Sequence, residues 1–401
     1  MKPTLEIFSQ GEEIVCGQIA DTNAAWLSQQ AVQLGFLVTR HTAVGDKLDD
    51  LVGLLKEIAE RADCCLCTGG LGPTTDDLTA QAVAEAFGLP LVFDTVAFAQ
   101  IQDFFTRRQR VMPDSNRKQA LLPKGSQRLD NALGTAPGFS VQAGRCWFAF
   151  MPGVPSEMRH LFAERILPTL STRFALTPDR LITLKTIGIG ESAIQELLRP
   201  ITLPEGVAIG YRASVGEVQI KLLFPHNYPE DLLNRFTDAI AAPLGDKVFA
   251  VDDSNTGHCS DLVGVIDALM GQRQLRLAVL ETVSRGCLGS LCPTADWLLS
   301  SAYYQGVASG DTVCDGNETV QSLAADLIAS GADCALVQAF TDNKENFAVR
   351  GQSTGINIYL LTPDASHLAQ YRLSGPSGHK QQQAALLSLD VLRRYLQGCL
   401  A

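Results

Sequence analysis

The sequence lacks three features that would assign it to a particular class of protein. It has no run of about 18 apolar residues, so we expect no membrane-spanning helix. The N-terminus MKPTLEIFSQGEE lacks the charged-then-apolar layout of a signal peptide. Cationic residues are outnumbered, with 32 Lys and Arg against 43 Asp and Glu and a formal net charge of −11. We therefore predict a cytoplasmic protein with no membrane partner and no general affinity for nucleic acid.

The eleven cysteines do not indicate a disulfide framework, because an odd number in a chain without a secretion signal favours free thiols. Cys64 and Cys67 form a C-x-x-C pair, but no second pair follows nearby. We interpret both as small apolar residues of a buried strand rather than as metal ligands. The chain has 401 residues, of which 46% are hydrophobic, and is longer than one ordinary hydrophobic core accommodates. This length predicts two or three domains.

The first part of the chain alternates strand and helix patterns. Strand patterns cover TLEIFS, FLVTRHTAV and DCCLC, and helix patterns cover AAWLSQQAVQLG and LDDLVGLLKEIAERA. Asn23 or Thr22 is the expected cap of the first helix. This alternation of strands and helices predicts an α/β fold, with a doubly wound and mostly parallel sheet that has helices on both faces. We place domain boundaries to give residues 1–170, a small α+β unit at 171–253, and 254–401.

One predicted strand end carries CTGGLGPTTDD, residues 67–77, before a helix predicted over 78–87. Ligands of such sheets bind at the carboxyl ends of the strands. Glycines let the backbone approach a ligand closely, and amides at a helix N-terminus favour an anion. Asp76 and Asp77 are suited to hold a divalent cation that bridges to phosphate. A plain tight turn with the aspartates capping the helix is the alternative, and the P-loop and dinucleotide fingerprints are both incomplete here.

Several motifs in order resemble one known family. GGLGPTTDDLT, preceded by GEEIVCGQIADTNAAWL and followed by NRKQALLP, NALGTAPGF and MPGVPSEM, is similar to the CinA family of competence- and damage-inducible proteins. The stretches TIGIGESAIQELL and GEVQIKL resemble that family's middle domain. The resemblance implies a molybdopterin-binding-type first domain, a KH-like middle domain and a C-terminal nicotinamide-nucleotide amidase domain. It also implies metal-dependent hydrolysis of a nucleotide pyrophosphate such as ADP-ribose, in pyridine-nucleotide recycling, and a homodimer for which the last helix is a candidate surface.

Site roles in the first domain follow from this resemblance. We expect Asp76 and Asp77 to be catalytic and to ligate a divalent metal, with Glu12 and Asp46 as further ligands. The family usually reads G-D-E where this chain has Gly11, Glu12 and Glu13, and the longer glutamate alters the metal geometry. The residues expected to bind the nucleotide substrate offer polar groups or open backbone: Gly69, Gly70, Gly72, Thr74, Asn23, Asn116 and Arg117. A solvated surface charge is the alternative for Arg117.

The C-terminal domain departs from the family loop A-E-S-C-T-G-G, in which the serine is the nucleophile. LETVSRGCLGS keeps Glu281 but has Thr282 at the serine position and Arg285 with Gly286 at the glycine pair. Four further positions differ from family motifs: Gln338, Ala339, Gln381 and Gln383. The extra methyl of Thr282 crowds the approach of its hydroxyl to a carbonyl. The Cβ of Arg285 at a glycine position can misplace the loop amides. Gln381 and Gln383, where the family has arginines, lack the charge that binds phosphate. We therefore expect a degenerate amidase site of Glu281, Thr282 and Ser284, in which Ser284 is either a displaced nucleophile or an ordinary loop serine.

Three other functions remain as alternatives. The first domain could bind a nucleotide or pterin without turning it over. The last domain could deamidate nicotinamide mononucleotide. RNA binding by the middle domain is disfavoured, because GIGES lacks the second glycine of a G-X-X-G loop and carries an acid.

Overall fold

The computed structural model describes residues 2–256, 260–303, 317–341 and 345–400. These residues form two compact units, Met1–Asp179 and Arg180–Ala401, which are described separately. Among the described helices, none combines the length and the apolar character that crossing a bilayer requires.

The first unit is built on a six-stranded sheet. Its strands are β1 (Thr4–Gln10), β2 (Leu37–Val44), β3 (Cys64–Thr68), β4 (Leu91–Phe93), β5 (Leu121–Pro123), β6 (Gln127–Leu129), β7 (Gly138–Ala143) and β8 (Cys146–Met151). The strand order in the sheet is β2-β1-β3-β8-β7-β6, and β4 pairs with β5 apart from it. The first four strands in this order run parallel, β7 runs antiparallel to them, and β6 pairs antiparallel with β7 and so runs in the direction of the first four. The prediction of a mostly parallel sheet is confirmed.

Helices cover both faces of this sheet. They are α1 (Glu12–Val15), α2 (Thr22–Leu34), α3 (Leu48–Arg61), α4 (Thr79–Phe87), α5 (Thr95–Arg107), α6 (Pro155–Leu161) and α7 (Leu167–Arg173). A π-helical turn, Phe162–Ile166, joins α6 to α7. Leu5 and Ile7 of β1 share a core with α2 and α6, whereas Phe8 shares one with α3 and α4. The two cores follow from the alternation of side chains along each strand.

Two local predictions need correction. The cap of α2 is Asp21, whose carboxylate accepts a hydrogen bond from the Ala24 N–H at 2.8 Å, and neither Asn23 nor Thr22 has that role. Helix α4 begins at Thr79, and Leu78 precedes it without a side-chain cap, so neither Asp76 nor Asp77 caps this helix as the alternative supposed.

The second unit begins with a four-stranded antiparallel sheet. Its strands are β9 (Arg180–Ile187), β10 (Ala208–Ala213), β11 (Glu217–Phe224) and β12 (Val248–Asp253), in the order β10-β11-β9-β12. Helices α8 (Glu191–Leu198) and α9 (Glu230–Ala241) accompany it. Apolar side chains of β9, β11, α8 and α9 pack together in one core, as the α+β pattern predicted.

The rest of the second unit has a mixed sheet with the order β14-β13-β15-β16-β17. These strands are β13 (Leu277–Glu281), β14 (Leu298–Tyr303), β15 (Cys334–Phe340), β16 (Thr354–Leu361) and β17 (Ser366–Leu373). The helices are α10 (Leu262–Arg273), α11 (Cys287–Leu291), α12 (Asn317–Ala329), α13 (Glu345–Ala348) and α14 (Ser377–Leu396). Strands β14, β13 and β15 run parallel.

The last helix, α14, is a core element of the second unit. Leu389, Val391 and Leu392 are fully buried. The buried guanidinium of Arg393 binds the Asp390 carboxylate and donates to the main-chain oxygen of Asp246 at 2.6 Å. Helix α14 is therefore fastened to the turn that precedes β12, and most of its surface is already covered within the chain.

Candidate functional site

A cleft of about 510 Å³ lies where β1, β2, β3 and β8 end. Seven residues predicted for this site line it: Asn23, Asp46, Gly69, Gly70, Gly72, Asp76 and Asp77. Four others do not line it: Glu12, Thr74, Asn116 and Arg117. The structure therefore brings most of the predicted site together at the carboxyl edge of the parallel strands, the place where ligands of such sheets bind.

The glycines of the segment 69–78, here called the glycine loop, make room for the protein's own side chains. Gly69 and Gly70 have φ values of 100° and 64°, in the left-handed region that favours glycine. A Cβ at either position would overlap Gln10, and one at Gly72 would overlap the Asp77 carboxylate. Close internal packing explains these glycines without a ligand.

Gln10, at the end of β1, is the residue that sequence reasoning missed in this cleft. Its side-chain oxygen accepts a hydrogen bond from the Thr79 hydroxyl. Its side-chain nitrogen donates to Asp46 at 2.8 Å and to the main-chain oxygen of Asp76 at 3.2 Å. One buried amide thus joins the end of β1 to the segments that follow its two neighbouring strands, β2 and β3. The sequence signal was a polar residue ending an otherwise apolar strand.

Two of the four predicted metal ligands, Asp77 and Asp46, accept hydrogen bonds from the chain itself. The Asp77 carboxylate accepts a hydrogen bond from the Thr74 N–H at 2.8 Å and another from the Thr74 hydroxyl. Asp46 accepts from Gln10 and from the Glu12 N–H at 3.2 Å. Among the described residues, no group of three or more His, Cys, Asp or Glu side chains is arranged to hold a metal ion. A divalent metal stays a prediction that this arrangement does not support.

The remaining predicted ligand-binding residues support the loop or lie away from it. Asn116 is buried and donates to Gln119 at 2.8 Å, and Gln119 donates to the main-chain oxygen of Leu71 at 3.2 Å. The Arg117 guanidinium lies 4.6 Å from the centre of the Phe93 ring and outside the cleft lining.

Asn23 is anchored by its amide nitrogen while its side-chain oxygen is unpaired. The nitrogen donates to the main-chain oxygen of Gly153 at 2.7 Å and to the Thr68 hydroxyl at 3.3 Å. The oxygen is buried and has no hydrogen-bond partner among the residues that the structure describes. Because a buried acceptor without a partner carries a desolvation cost, a ligand that donates to it would be stabilised.

The second candidate site lies where β13 ends, in the second unit. Glu281 is fully buried, and its carboxylate accepts hydrogen bonds from the N–H groups of Gly286, Leu288 and Gly289 at 2.8, 3.0 and 2.9 Å. It also accepts from the hydroxyls of Ser284, at 2.6 Å, and Ser301. The acid therefore satisfies the amides of the turn into α11, a role that the motif alone did not indicate.

The segment 282–286, here called the serine loop, contains two hydroxyls in different settings. The Thr282 hydroxyl donates to the main-chain oxygen of Gln338. The Ser284 oxygen lies 2.6 Å from Glu281 Oε2 and 2.9 Å from Gln338 Oε1. Gln338 also accepts from the Ser284 N–H at 2.9 Å and donates to Ser388 at 2.9 Å. Of the two hydroxyls of the serine loop, only that of Ser284 therefore contacts a carboxylate.

Two further residues complete the site, Arg285 within the loop and Cys287 directly after it. Arg285 has a positive φ of 53°, and its guanidinium lies 5.1 Å from the centre of the Phe347 ring. Burial, and next the negative charge of Glu281, raise the pKa of the Cys287 thiol. A raised pKa keeps that sulfur protonated, so Cys287 is unsuited to be a nucleophile.

Family comparisons agree with this architecture. The model described as "Probable molybdopterin binding domain" matches residues 6–172, and "Damage-inducible protein CinA KH domain" matches residues 182–250. A CinA-like protein of Shewanella sp. strain W3-18-1 is 40% identical over 302 residues, which cover 75% of this chain and 69% of that protein. A solved structure, the protein CinA with unknown function from Thermoplasma acidophilum, is 29% identical, with a TM-score of 0.39, over 43% of this chain and 97% of that one.

Another relative corrects the expected activity. The protein named nicotinamide-nucleotide amidohydrolase PncC, from Shewanella oneidensis, is 39% identical over 304 residues, covering 75% of this chain and 69% of that protein. Its name refers to amide hydrolysis. The expectations of an ADP-ribose pyrophosphatase and of an inactive amidase are therefore wrong. On these matches, the chain belongs to the CinA-like protein family.

Proposed function

We propose that the protein hydrolyses the amide of a nicotinamide nucleotide at the serine loop. The observation that carries this proposal is the Ser284 hydroxyl, 2.6 Å from the Glu281 carboxylate. A serine bonded to a base is the arrangement used for nucleophilic attack on a carbonyl. The 39% identical amidohydrolase supports the substrate class.

The proposed catalytic roles follow from the different hydrogen-bond partners of the Ser284 and Thr282 hydroxyls. Ser284 Oγ attacks the amide carbon, and Glu281 takes the hydroxyl proton. Glu281 then returns that proton to the amide nitrogen, which leaves as ammonia, and water hydrolyses the acyl-serine to the carboxylate. Thr282 lacks a base, because its hydroxyl is committed to the main-chain oxygen of Gln338.

Access to Ser284 requires a movement of the serine loop. Ser284 is 1% exposed and Glu281 is fully buried. Displacement of the loop would expose Ser284 and release some of the three main-chain N–H hydrogen bonds that Glu281 accepts.

The test is ammonia release from nicotinamide mononucleotide by the purified full chain. Ser284→Ala is expected to lower kcat by about a thousandfold or more, because it removes the nucleophile. Thr282→Ala is the matched control and is expected to retain most activity. No ammonia from the unmodified chain, or equal rates in both variants, would refute the proposal.

We further propose that the cleft of the first unit binds a pterin or the nucleoside part of a nucleotide without chemistry. The unpaired buried oxygen of Asn23 favours a ligand with a hydrogen-bond donor. Six carboxylates and no Lys or Arg line the cleft: Glu13, Asp21, Asp46, Asp76, Asp77 and Glu157. These carboxylates disfavour added phosphates.

Calorimetry with adenosine, a neutral pterin and AMP tests this second proposal. We expect the uncharged ligands to bind more tightly than AMP, and Asn23→Ala to weaken them. Tighter binding of AMP would contradict the charge argument, and absence of all binding would refute the proposal.

A homodimer and a cytoplasmic location remain predictions. Light scattering of the purified full chain measures the first. Fractionation of cells that express it measures the second.

A further inference from the structure

A second pocket of the first unit adjoins the glycine loop, with a volume of about 150 Å³. Apolar side chains form most of its wall: Leu71, Leu91, Leu121, Leu122, Pro137 and Phe139. A cavity of about this size and lining accommodates a benzene-sized molecule. We refer to it as the side pocket.

Two charged residues of the wall, Lys118 and Asp77, are both hydrogen-bonded to Thr74. The Lys118 ammonium donates to the main-chain oxygen of Thr74 at 2.6 Å, and the Asp77 carboxylate accepts from the Thr74 N–H at 2.8 Å. An ammonium has three protons and a carboxylate about four acceptor positions, so both keep capacity for a ligand. The wall therefore offers a donor and an acceptor together.

Other polar groups of the wall contribute less. The neutral Gln119 amide accepts from Asn116 at 2.8 Å and donates to the main-chain oxygen of Leu71 at 3.2 Å, and its remaining N–H and lone pair form weaker hydrogen bonds than the charged groups do. Gln81 is exposed. Recognition in the side pocket therefore depends on Lys118 and Asp77.

We propose that the side pocket binds one uncharged six-membered aromatic ring bearing a group that both accepts and donates hydrogen bonds, such as a primary carboxamide. The ring fills the apolar volume, the carboxamide oxygen accepts from Lys118, and its NH2 group donates to Asp77. An anionic substituent would be attracted by Lys118 but repelled by Asp77. A ligand without the ring would leave the apolar wall uncovered.

This inference goes beyond the proposed amide hydrolysis, which belongs to the second unit. It is also separate from ligand binding in the cleft, although both sites share the glycine loop. Ring binding and ammonia release are measured independently, so the failure of one does not imply the failure of the other.

The test is a ligand-observed NMR titration of the full chain with benzamide, benzoate and acetamide. Benzamide is expected to bind about tenfold more tightly than either of the others, because each comparison removes one part of the recognition. Equal affinity for benzoate, or no binding of benzamide, would overturn the proposal.

Two variants locate the binding. Ala80→Leu adds side-chain volume in the wall of the side pocket and is expected to abolish benzamide binding. Ala84→Leu, on the same helix but outside that wall, is the matched control and is expected to bind normally. Undiminished binding by Ala80→Leu would overturn the assignment. If Ala80→Leu does not fold, Lys118→Met replaces it, with an expected loss of about tenfold against retention in Lys118→Arg.

Discussion

The glycine loop and the serine loop occupy equivalent positions in two sheets, yet they differ in what lies against them. Each follows a buried parallel strand, β3 or β13, and leads into a helix. The glycine loop borders a cleft of about 510 Å³. In the serine loop, the chain's own Glu281 binds the turn amides. The glycine loop is therefore open to a ligand as it stands, whereas the serine loop must move before a substrate can reach it.

Glu281→Ala should give the largest change in stability. It would leave three N–H groups and two serine hydroxyls without their shared acceptor in a buried site. We expect the free energy of unfolding to fall by at least about 3 kcal/mol, measured by urea denaturation. Glu281→Gln, which keeps the shape and one acceptor oxygen, should lose less. Equal stability of Glu281→Ala and the unmodified chain would show that this acid is not the organiser of the turn.

Gly70→Ala tests the packing of the glycine loop. The added Cβ meets the Gln10 side chain at a residue with a φ of 64°. The expected destabilisation is about 1–3 kcal/mol, again by urea denaturation. Gly88→Ala is a useful control, since its φ of 66° is similar but a Cβ there meets nothing nearby. A similar loss in both variants would mean that backbone conformation, and not contact with Gln10, requires glycine at position 70.

Asn116→Ala tests whether the hydrogen bonds from Asn116 through Gln119 hold the glycine loop in place. The change removes the donor to Gln119, whose own amide holds the main-chain oxygen of Leu71. A loss of about 1 kcal/mol is expected, with faster hydrogen exchange at Leu71 and its neighbours. Arg117→Ala, at the next position but directed towards Phe93, should leave that exchange unchanged.

Asp76→Asn should have the smallest effect. Asp76 is exposed, its main-chain oxygen is bound by Gln10, and a hydrogen bond with the Thr74 side chain lowers the pKa of its carboxylate. Because an exposed contact contributes little to stability, no measurable change in melting temperature is expected. A marked loss would show that the contact with Thr74 has a larger structural role than its exposure suggests.

The sequence predicted the first unit well because strand and helix periodicity is a local property. The strands β1, β2 and β3 and the helix after the glycine loop follow from apolar spacing alone. The parallel pairing of β3 with β8, which places Cys64 opposite Trp147, joins segments distant in sequence, and no local pattern fixes it.

Side-chain roles were harder to predict because they depend on partners from other segments. Gln10 had no motif, and its function became visible only when Asp46 and Thr79 were placed beside it. Arg117 and Asn116 are adjacent, yet one lies over an aromatic ring and the other is buried. Glu281 was recognised as a site residue, but the five hydrogen bonds that it accepts required the fold.

The Gln10 amide has a consequence for how this unit can change over time. Because Gln10 ends β1 and its amide is bonded to groups after both β2 and β3, a substitution at any one of these three places alters the other two. Variants that alter this edge of the sheet should therefore be tolerated in compensating sets rather than singly, and mutagenesis there should be designed around combinations.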